Sequence, residues 1–253
     1  MIILYIYLLL LGLLFGSFYN VVGLRVPIKR SIVTPRSTCG TCGHQLTPYE
    51  LIPVVSYLLQ KGKCRGCESR ISPIYPFFEL LTGLLFATAP LVIGWSGELV
   101  VALTLISMFM IIIVSDIHYM LIPDKILIWF AGIFLVERII WPLTPWWDSL
   151  LGAVVGFLLL LIIAIVSKGG MGFGDVKLYA LLGFVLGFKL VLLSFFFSTL
   201  FGAVIGGLAL LFKIVKRRQP IPFGPFIAFG TIVAYYWGAE IIDLYIRFLH
   251  QGL

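Results

Sequence analysis

Apolar runs recur from one end of the chain to the other, separated by short polar turns and one long polar stretch. A bilayer span needs about 20 apolar residues. On that measure the pattern predicts eight helices, over 2–22, 75–94, 98–115, 125–142, 149–167, 176–188, 190–212 and 224–246. The sixth run is short, and Gly12 and Gly16 are candidate break points in the first. The first run lacks the basic start and small-residue cleavage site of a signal peptide, so it reads as a span. The chain divides into a first helix (1–24), a polar segment (25–73) and a membrane domain (74–253).

Composition narrows the class. The 253 residues are 61% hydrophobic and 11% charged, which excludes a water-soluble domain. With the N-terminus outside, fifteen Lys and Arg residues fall on the inner side, and only Arg138, Lys189 and Arg247 fall outside. That asymmetry follows the positive-inside rule. The formal net charge of +7 is then a matter of orientation and of anionic lipid at the cytoplasmic face. No basic-aromatic module points to nucleic acid.

The long polar segment, Arg25 to Pro73, is cytoplasmic on this topology and holds all four cysteines. Cys39-Gly-Thr-Cys42 and Cys64-Arg-Gly-Cys67 are separated by 21 residues, a spacing that predicts one tetrahedral zinc site with four cysteine ligands. Gly40, Gly43 and Gly66 suit the tight turns. So short a segment has little core, and bound Zn2+ would supply folding energy. The rival reading is a redox pair, which a reducing compartment disfavours. Four thiolates leave no open position for catalytic water, so the zinc is expected to be structural. The fold class is therefore an all-α polytopic membrane protein of about eight transmembrane helices with a cytoplasmic zinc-binding loop.

Two acids stand at membrane boundaries. Asp116 ends the third run, and Asp175 closes Gly172-Phe173-Gly174-Asp175 where the sixth begins. An acid there is costly unless paired, hydrated or working. Two such carboxylates can share a proton and drive water onto a peptide bond. Gly172 and Gly174, with Gly169 and Gly170, would let an extended peptide approach. The competing reading makes each Asp a helix cap. Asp124 is a candidate third acid, but its place after Pro123 and before an apolar run favours an N-cap. Lys177 reads as an electrostatic tuner of the pair or as a snorkelling anchor. His118 reads as structural or solvated. Glu79, early in the second span, needs a partner, either in the polar loop or in a substrate amine.

The ordered motifs resemble the type IV prepilin peptidases over nearly the whole chain. They include Gly16-Ser17-Phe18-Tyr19-Asn20, Arg25 and Pro27, the two CxxC pairs, and Leu51-Ile52-Pro53-Val54-Val55-Ser56-Tyr57-Leu58. Next come Gly62-Lys63-Cys64-Arg65, Ile71-Ser72-Pro73 and Tyr75-Pro76-Phe77-Phe78-Glu79. Asp116 with Ile122-Pro123-Asp124, Gly172 to Lys177, and Pro222-Phe223-Gly224-Pro225-Phe226 complete the set. Presenilin-like proteases match less well, because their Tyr-Asp and Pro-Ala-Leu elements are missing. Pro35-Arg36-Ser37 and the short chain resemble the late-competence peptidases of Gram-positive bacteria, and Thr41 departs from the common proline.

The resemblance implies a multi-pass enzyme of the bacterial cytoplasmic membrane, with its active site and zinc loop facing the cytoplasm. Such an enzyme removes the basic leader of type IV prepilins or pseudopilins after a glycine, with Asp116 and Asp175 catalytic. Many members then methylate the new N-terminus with S-adenosylmethionine. Glu50 is a candidate amine contact for that step, and the bland alternative is a solvated loop glutamate. A peptidase without methyl transfer, a proton-coupled transporter and a zinc-bearing scaffold are the other readings. A transporter should show midplane acids and an internal repeat, and neither is visible.

Overall fold

The computed structural model describes residues 1–167, 170–216 and 221–251, with Gln251 described by its backbone alone. Lys168, Gly169, Arg217 and Arg218, used in the charge and glycine arguments, lie outside the described residues. The elements are α1 (Ile2–Arg25), a 3-10 turn (Pro48–Leu51), α2 (Val55–Leu59), α3 (Ile74–Ile93), α4 (Gly97–Tyr119), α5 (Asp124–Ile140), α6 (Asp148–Val166), α7 (Phe173–Leu211) and α8 (Gly224–Gln251). Among the described residues there is no strand, only the isolated bridges Thr38 with Gln45 and Lys63 with Arg70. Among the described residues six helices are long and apolar enough to cross a membrane, and α5 adds 17 residues. The chain forms two compact units, Met1–His118 and Tyr119–Leu253.

In the first unit α1 packs on α3. It is unbroken, so Gly12 and Gly16 do not interrupt it. A Cβ at Gly12 would meet Gly83 Cα at 2.8 Å, and one at Gly16 would meet Glu79 Cα at 2.8 Å. The two glycines, one turn apart, let the backbones close up, which is how helices associate in lipid without a hydrophobic drive. Tyr19 on α1 donates to Ser107 Oγ on α4 at 2.7 Å, and both residues are buried.

In the second unit α7 is a hairpin. Gly187 has φ 78°, ψ 177°, and the residues on either side are helical. Tyr179 Oη donates to Ser198 Oγ at 3.0 Å. On a straight helix those residues would lie about 28 Å apart, at 1.5 Å per residue. The chain therefore folds back at Gly187, which accounts for the two runs predicted there. The break frees carbonyls on one side and N–H groups on the other. Arg138 of α5 donates from Nε and Nη2 to Val185 O at 3.0 and 2.6 Å. Asp148 Oδ1 of α6 accepts from Phe188 N–H at 3.2 Å. Each charge has the sign that its helix end favours. Arg138, counted from sequence among the outer charges at the end of the fourth run, is buried on α5. Gly152 and Gly156 of α6 face Gly183, Gly187 and Tyr179 at backbone contact, and Ser194 Oγ meets Thr231 Oγ1 of α8 at 2.7 Å.

Candidate active site and metal centre

The cysteine segment is built twice from one plan. Cys39 N–H donates to His44 O and Gly43 N–H to Cys39 O; Cys64 N–H donates to Ser69 O and Glu68 N–H to Cys64 O. The fifth residue of each turn has positive φ, at Gly43 (73°) and Glu68 (55°). The turn dictates that angle, so Gly40 and Gly66 are not the residues that make it. Gly66 contributes an N–H to Cys64 Sγ at 3.3 Å.

The four Sγ atoms lie within 4.8 Å of one another. Cys39 to Cys67 is 3.8 Å and Cys42 to Cys64 is 4.0 Å, with all four cysteines free of disulfides. A tetrahedral site with metal–sulfur bonds of about 2.3 Å has sulfur–sulfur edges of about 3.8 Å. The donor set fits one zinc-sized ion. Crowding also divides the thiols. Backbone N–H groups of Cys42 and Thr41, with the Ser69 hydroxyl, lower Cys39 to about 5. Cys67 is lowered by the Ser69 hydroxyl and backbone. For Cys42 a His44 backbone bond acts downward, but Cys67, Cys39, Cys64 and burial together push it up to about 12. A cation in the cluster would remove that conflict by ionising all four thiols.

Glu50 is buried, not solvated. Its Oε2 accepts from Thr47 N–H and Thr47 Oγ1, both at 2.9 Å, and lies 3.2 Å from His44 Nε2. The Thr47 backbone bond, with the Thr47 hydroxyl and His44, holds its carboxyl below the usual range. It closes a capping box on the 3-10 turn. Its Oε1 has no hydrogen-bond partner among the described residues.

Glu79 has a loop partner. Its Oε2 accepts from Val54 N–H at 2.7 Å. Val54 has φ 61°, ψ −50°, and Val55 N–H reaches Pro53 O at 2.6 Å. This is a γ-turn of the rare positive-φ kind, strained for a β-branched residue by about 1–3 kcal/mol. Asn20 Nδ2 donates to Tyr75 O at 3.2 Å beside it, joining α1 to the start of α3.

The two aspartates belong to different units. Asp116 is buried in the last turn of α4, which runs on to Tyr119 and does not end at Ser115. His118 is exposed and its Nδ1 donates to Val114 O at 2.9 Å, a local helix contact. Asp175 is partly buried in the first turn of α7, whose N-cap is Gly172. Gly174 packs tightly, since a Cβ there would lie 3.0 Å from Ile122 Cβ. Asp124 makes no side-chain cap. It is the first residue of α5, and both its oxygens take the Lys177 ammonium, at 2.8 and 2.7 Å. For Asp124 that pair stands in place of the cap reading. Lys177 also lies 5.5 Å from the Phe173 ring centre.

The model of the bacterial peptidase A24 N-terminal domain matches residues 10–93, and that of the type IV leader peptidase family matches 103–207. A prepilin leader peptidase/N-methyltransferase of Bacillus subtilis is 50% identical over 240 residues, covering 95% of this chain and 97% of that protein. The chain belongs to the type IV leader peptidase family. A family member of the same description from Pseudomonas aeruginosa is 34% identical over 95% of this chain and 92% of its own length. One from Myxococcus xanthus is 41% identical over 81% of this chain and 63% of its own length. No solved structure matches the chain significantly. The leader peptidase matches cover the segments that carry Asp116 and Asp175, and the N-terminal match covers the cysteine segment.

Four positions that shape this family member were not singled out from sequence. Thr47-Pro-Tyr-Glu50 carries a readable capping-box signal. The Val54 turn and the roles of Arg138 and Asp148 depend on partners 25 or more residues away, and no local pattern marks them.

Proposed function

We propose that this chain is an aspartic endopeptidase that removes the basic leader of type IV prepilins or pseudopilins after a glycine. In this reading Asp116 and Asp175 act as a pair at the cytoplasmic membrane boundary. One carboxylate takes a proton from water as the water attacks the scissile carbonyl, and the other donates a proton to the carbonyl oxygen. The tetrahedral species collapses with proton transfer to the leaving amine. The observation that carries the reading is the placement of these two acids at helix ends within the segment matched by the leader peptidase family. Gly172, Gly174, Asp124 and Lys177 support the Asp175 turn. A basic leader stays at the cytoplasmic face while its apolar helix enters the bilayer, so the scissile bond falls at this boundary.

The membrane is the bacterial cytoplasmic membrane, with the N-terminus outside and the loop inside, as the charge asymmetry indicates. Residues 25–73 form the zinc loop and methyl-transfer region, and the peptidase spans 74–253. Cys39, Cys42, Cys64 and Cys67 hold a structural Zn2+. S-adenosylmethionine, when bound, supplies a methyl group to the new N-terminal amine, and Glu50 Oε1 accepts a hydrogen bond from that amine. The substrates are prepilins or pseudopilins of the competence or secretion type, and the Pro35-Arg36-Ser37 lead resembles the competence branch. Purified protein incubated with a full-length prepilin in detergent should yield a product shortened by the leader mass and then heavier by one methyl. An intact precursor would refute the peptidase reading, and a shortened but unmethylated product would leave a peptidase alone.

A further inference from the structure

The cysteine segment carries an apolar face that its own knuckles leave uncovered. Tyr49, Leu51, Ile52, Val55, Leu58 and Leu59 are exposed by 75, 42, 44, 49, 67 and 75%. They fall within eleven residues, on the 3-10 turn, α2 and, for Ile52, the link between them. Such a patch marks an interaction surface. Exposed Lys61, Lys63, Arg65 and Arg70 follow it, against the single acid Glu68.

The position of this face is fixed by a membrane-spanning helix. Val54, in the middle of the patch, donates its N–H to Glu79 of α3 at 2.7 Å. Glu79 is five residues beyond Ile74, where α3 begins. At 1.5 Å per residue, the contact lies about 7.5 Å inside the helix end. The strained turn at Val54 thus holds the apolar residues about 7.5 Å along α3 from its first residue. Amphipathic segments bury their apolar faces about 5–10 Å into the headgroup and acyl boundary.

We propose that residues 49–59 are an interfacial membrane anchor. Leu51, Ile52, Val55, Leu58 and Leu59 sit among lipid acyl chains, and the four basic residues that follow lie on anionic headgroups. The anchor holds the metal knuckles flat on the membrane beside α3. Charge decides between lipid and a protein occupant. Anionic headgroups are attracted to Lys61, Lys63, Arg65 and Arg70, whereas the basic leader of a prepilin is repelled by them. The assignment goes beyond the peptidase reading and does not depend on it.

The test uses the full chain in nanodiscs of phosphatidylethanolamine and phosphatidylglycerol. The photoreactive residue p-benzoylphenylalanine replaces Tyr49, Leu59 or, as a comparison, Glu68. After irradiation, mass spectrometry should find phospholipid adducts at positions 49 and 59 at least tenfold more often than at 68. The zinc content of each variant reports whether the knuckles remain folded, and Tyr49, an aromatic site 75% exposed, is the one to read if the Leu59 variant loses metal. Metal-loaded protein without lipid adducts at 49 and 59, or with equal yields at all three positions, overturns the anchor. So does the replacement of lipid adducts by prepilin adducts when a prepilin is added, because the face is then a substrate dock. None of these readouts requires cleavage, so failure of the peptidase reading would be seen separately.

Discussion

Alanine at Gly187 should unfold the second unit far more readily than alanine at any open helical position. Two costs add. The backbone at φ 78°, ψ 177° lies in a region essentially reserved for glycine, so a Cβ strains it by about 1–3 kcal/mol. The added Cβ would also lie 2.9 Å from Asp148 Cγ and 3.1 Å from Leu143 Cδ1. Asp148 must then move and release Phe188 N–H, now held at 3.2 Å. Leaving that group without its acceptor costs about 1–3 kcal/mol. The sum is about 2–6 kcal/mol, a large share of the roughly 5–15 kcal/mol that holds a typical domain together. At about 1.4 kcal/mol per factor of ten, the middle of the range lowers the folded-to-unfolded ratio roughly a thousandfold. The assay is equilibrium unfolding in mixed micelles of increasing dodecyl sulfate content, followed by tryptophan fluorescence. Gly132→Ala on α5 is the comparison, because a Cβ there meets nothing within 4 Å. Alanine also improves helix propensity by about 1 kcal/mol, so this variant should equal or exceed wild type. Gly187→Ala within about 0.5 kcal/mol of wild type would refute the reasoning, since that is the scatter of an uneventful surface change.

Other outcomes follow from the site. Asp124→Asn and Lys177→Met should each keep substantial leader cleavage and change stability by no more than about 1 kcal/mol, because the pair is 58 and 41% exposed and solvent screens it; loss of all turnover in a folded Asp124→Asn protein would promote Asp124 to a working acid. Freshly purified, reduced protein should carry one zinc per chain, and Cys39→Ser with Cys64→Ser should release it and open residues 25–73 to protease; metal analysis at zero zinc would count against the site. Asp175→Asn should still transfer a labelled methyl from S-adenosylmethionine to a pre-cleaved pilin, while Glu50→Gln, which keeps the side chain's shape, should lower methylation more than cleavage; joint loss of both activities in folded Asp175→Asn protein would show that the two sites are one.

The span boundaries were legible because each run of apolar residues ends at a charge, proline or glycine, and the observed helices start and stop within a few residues of them. The metal knuckles were legible because the ligand spacing is local. The details of the site were not, for reasons that differ by residue. Ile117-His118-Tyr119 reads as a turn because its polarity rises, yet the helical hydrogen bonds continue, which puts Asp116 inside α4. Asp124 has the local look of a cap, but its partner, Lys177, is 53 residues away and out of reach of a window of any practical length. Gly12 and Gly16 look like breaks in a helix read alone, and become contact points only once α3 lies against them. Glu50 was within reach, since Thr47 stands three residues before it.

Whether Asp116 and Asp175 hydrolyse the leader bond together is settled most directly by one comparison. Leader removal from a purified prepilin is measured for wild type, Asp116→Asn and Asp175→Asn, all in the same detergent and all shown to be folded by their unfolding midpoints. Asparagine keeps the shape of each side chain and cannot cycle a proton. Wild type should cleave, and each variant should lose at least a thousandfold in rate. Turnover near the wild-type rate by either folded variant would contradict a paired-aspartate mechanism.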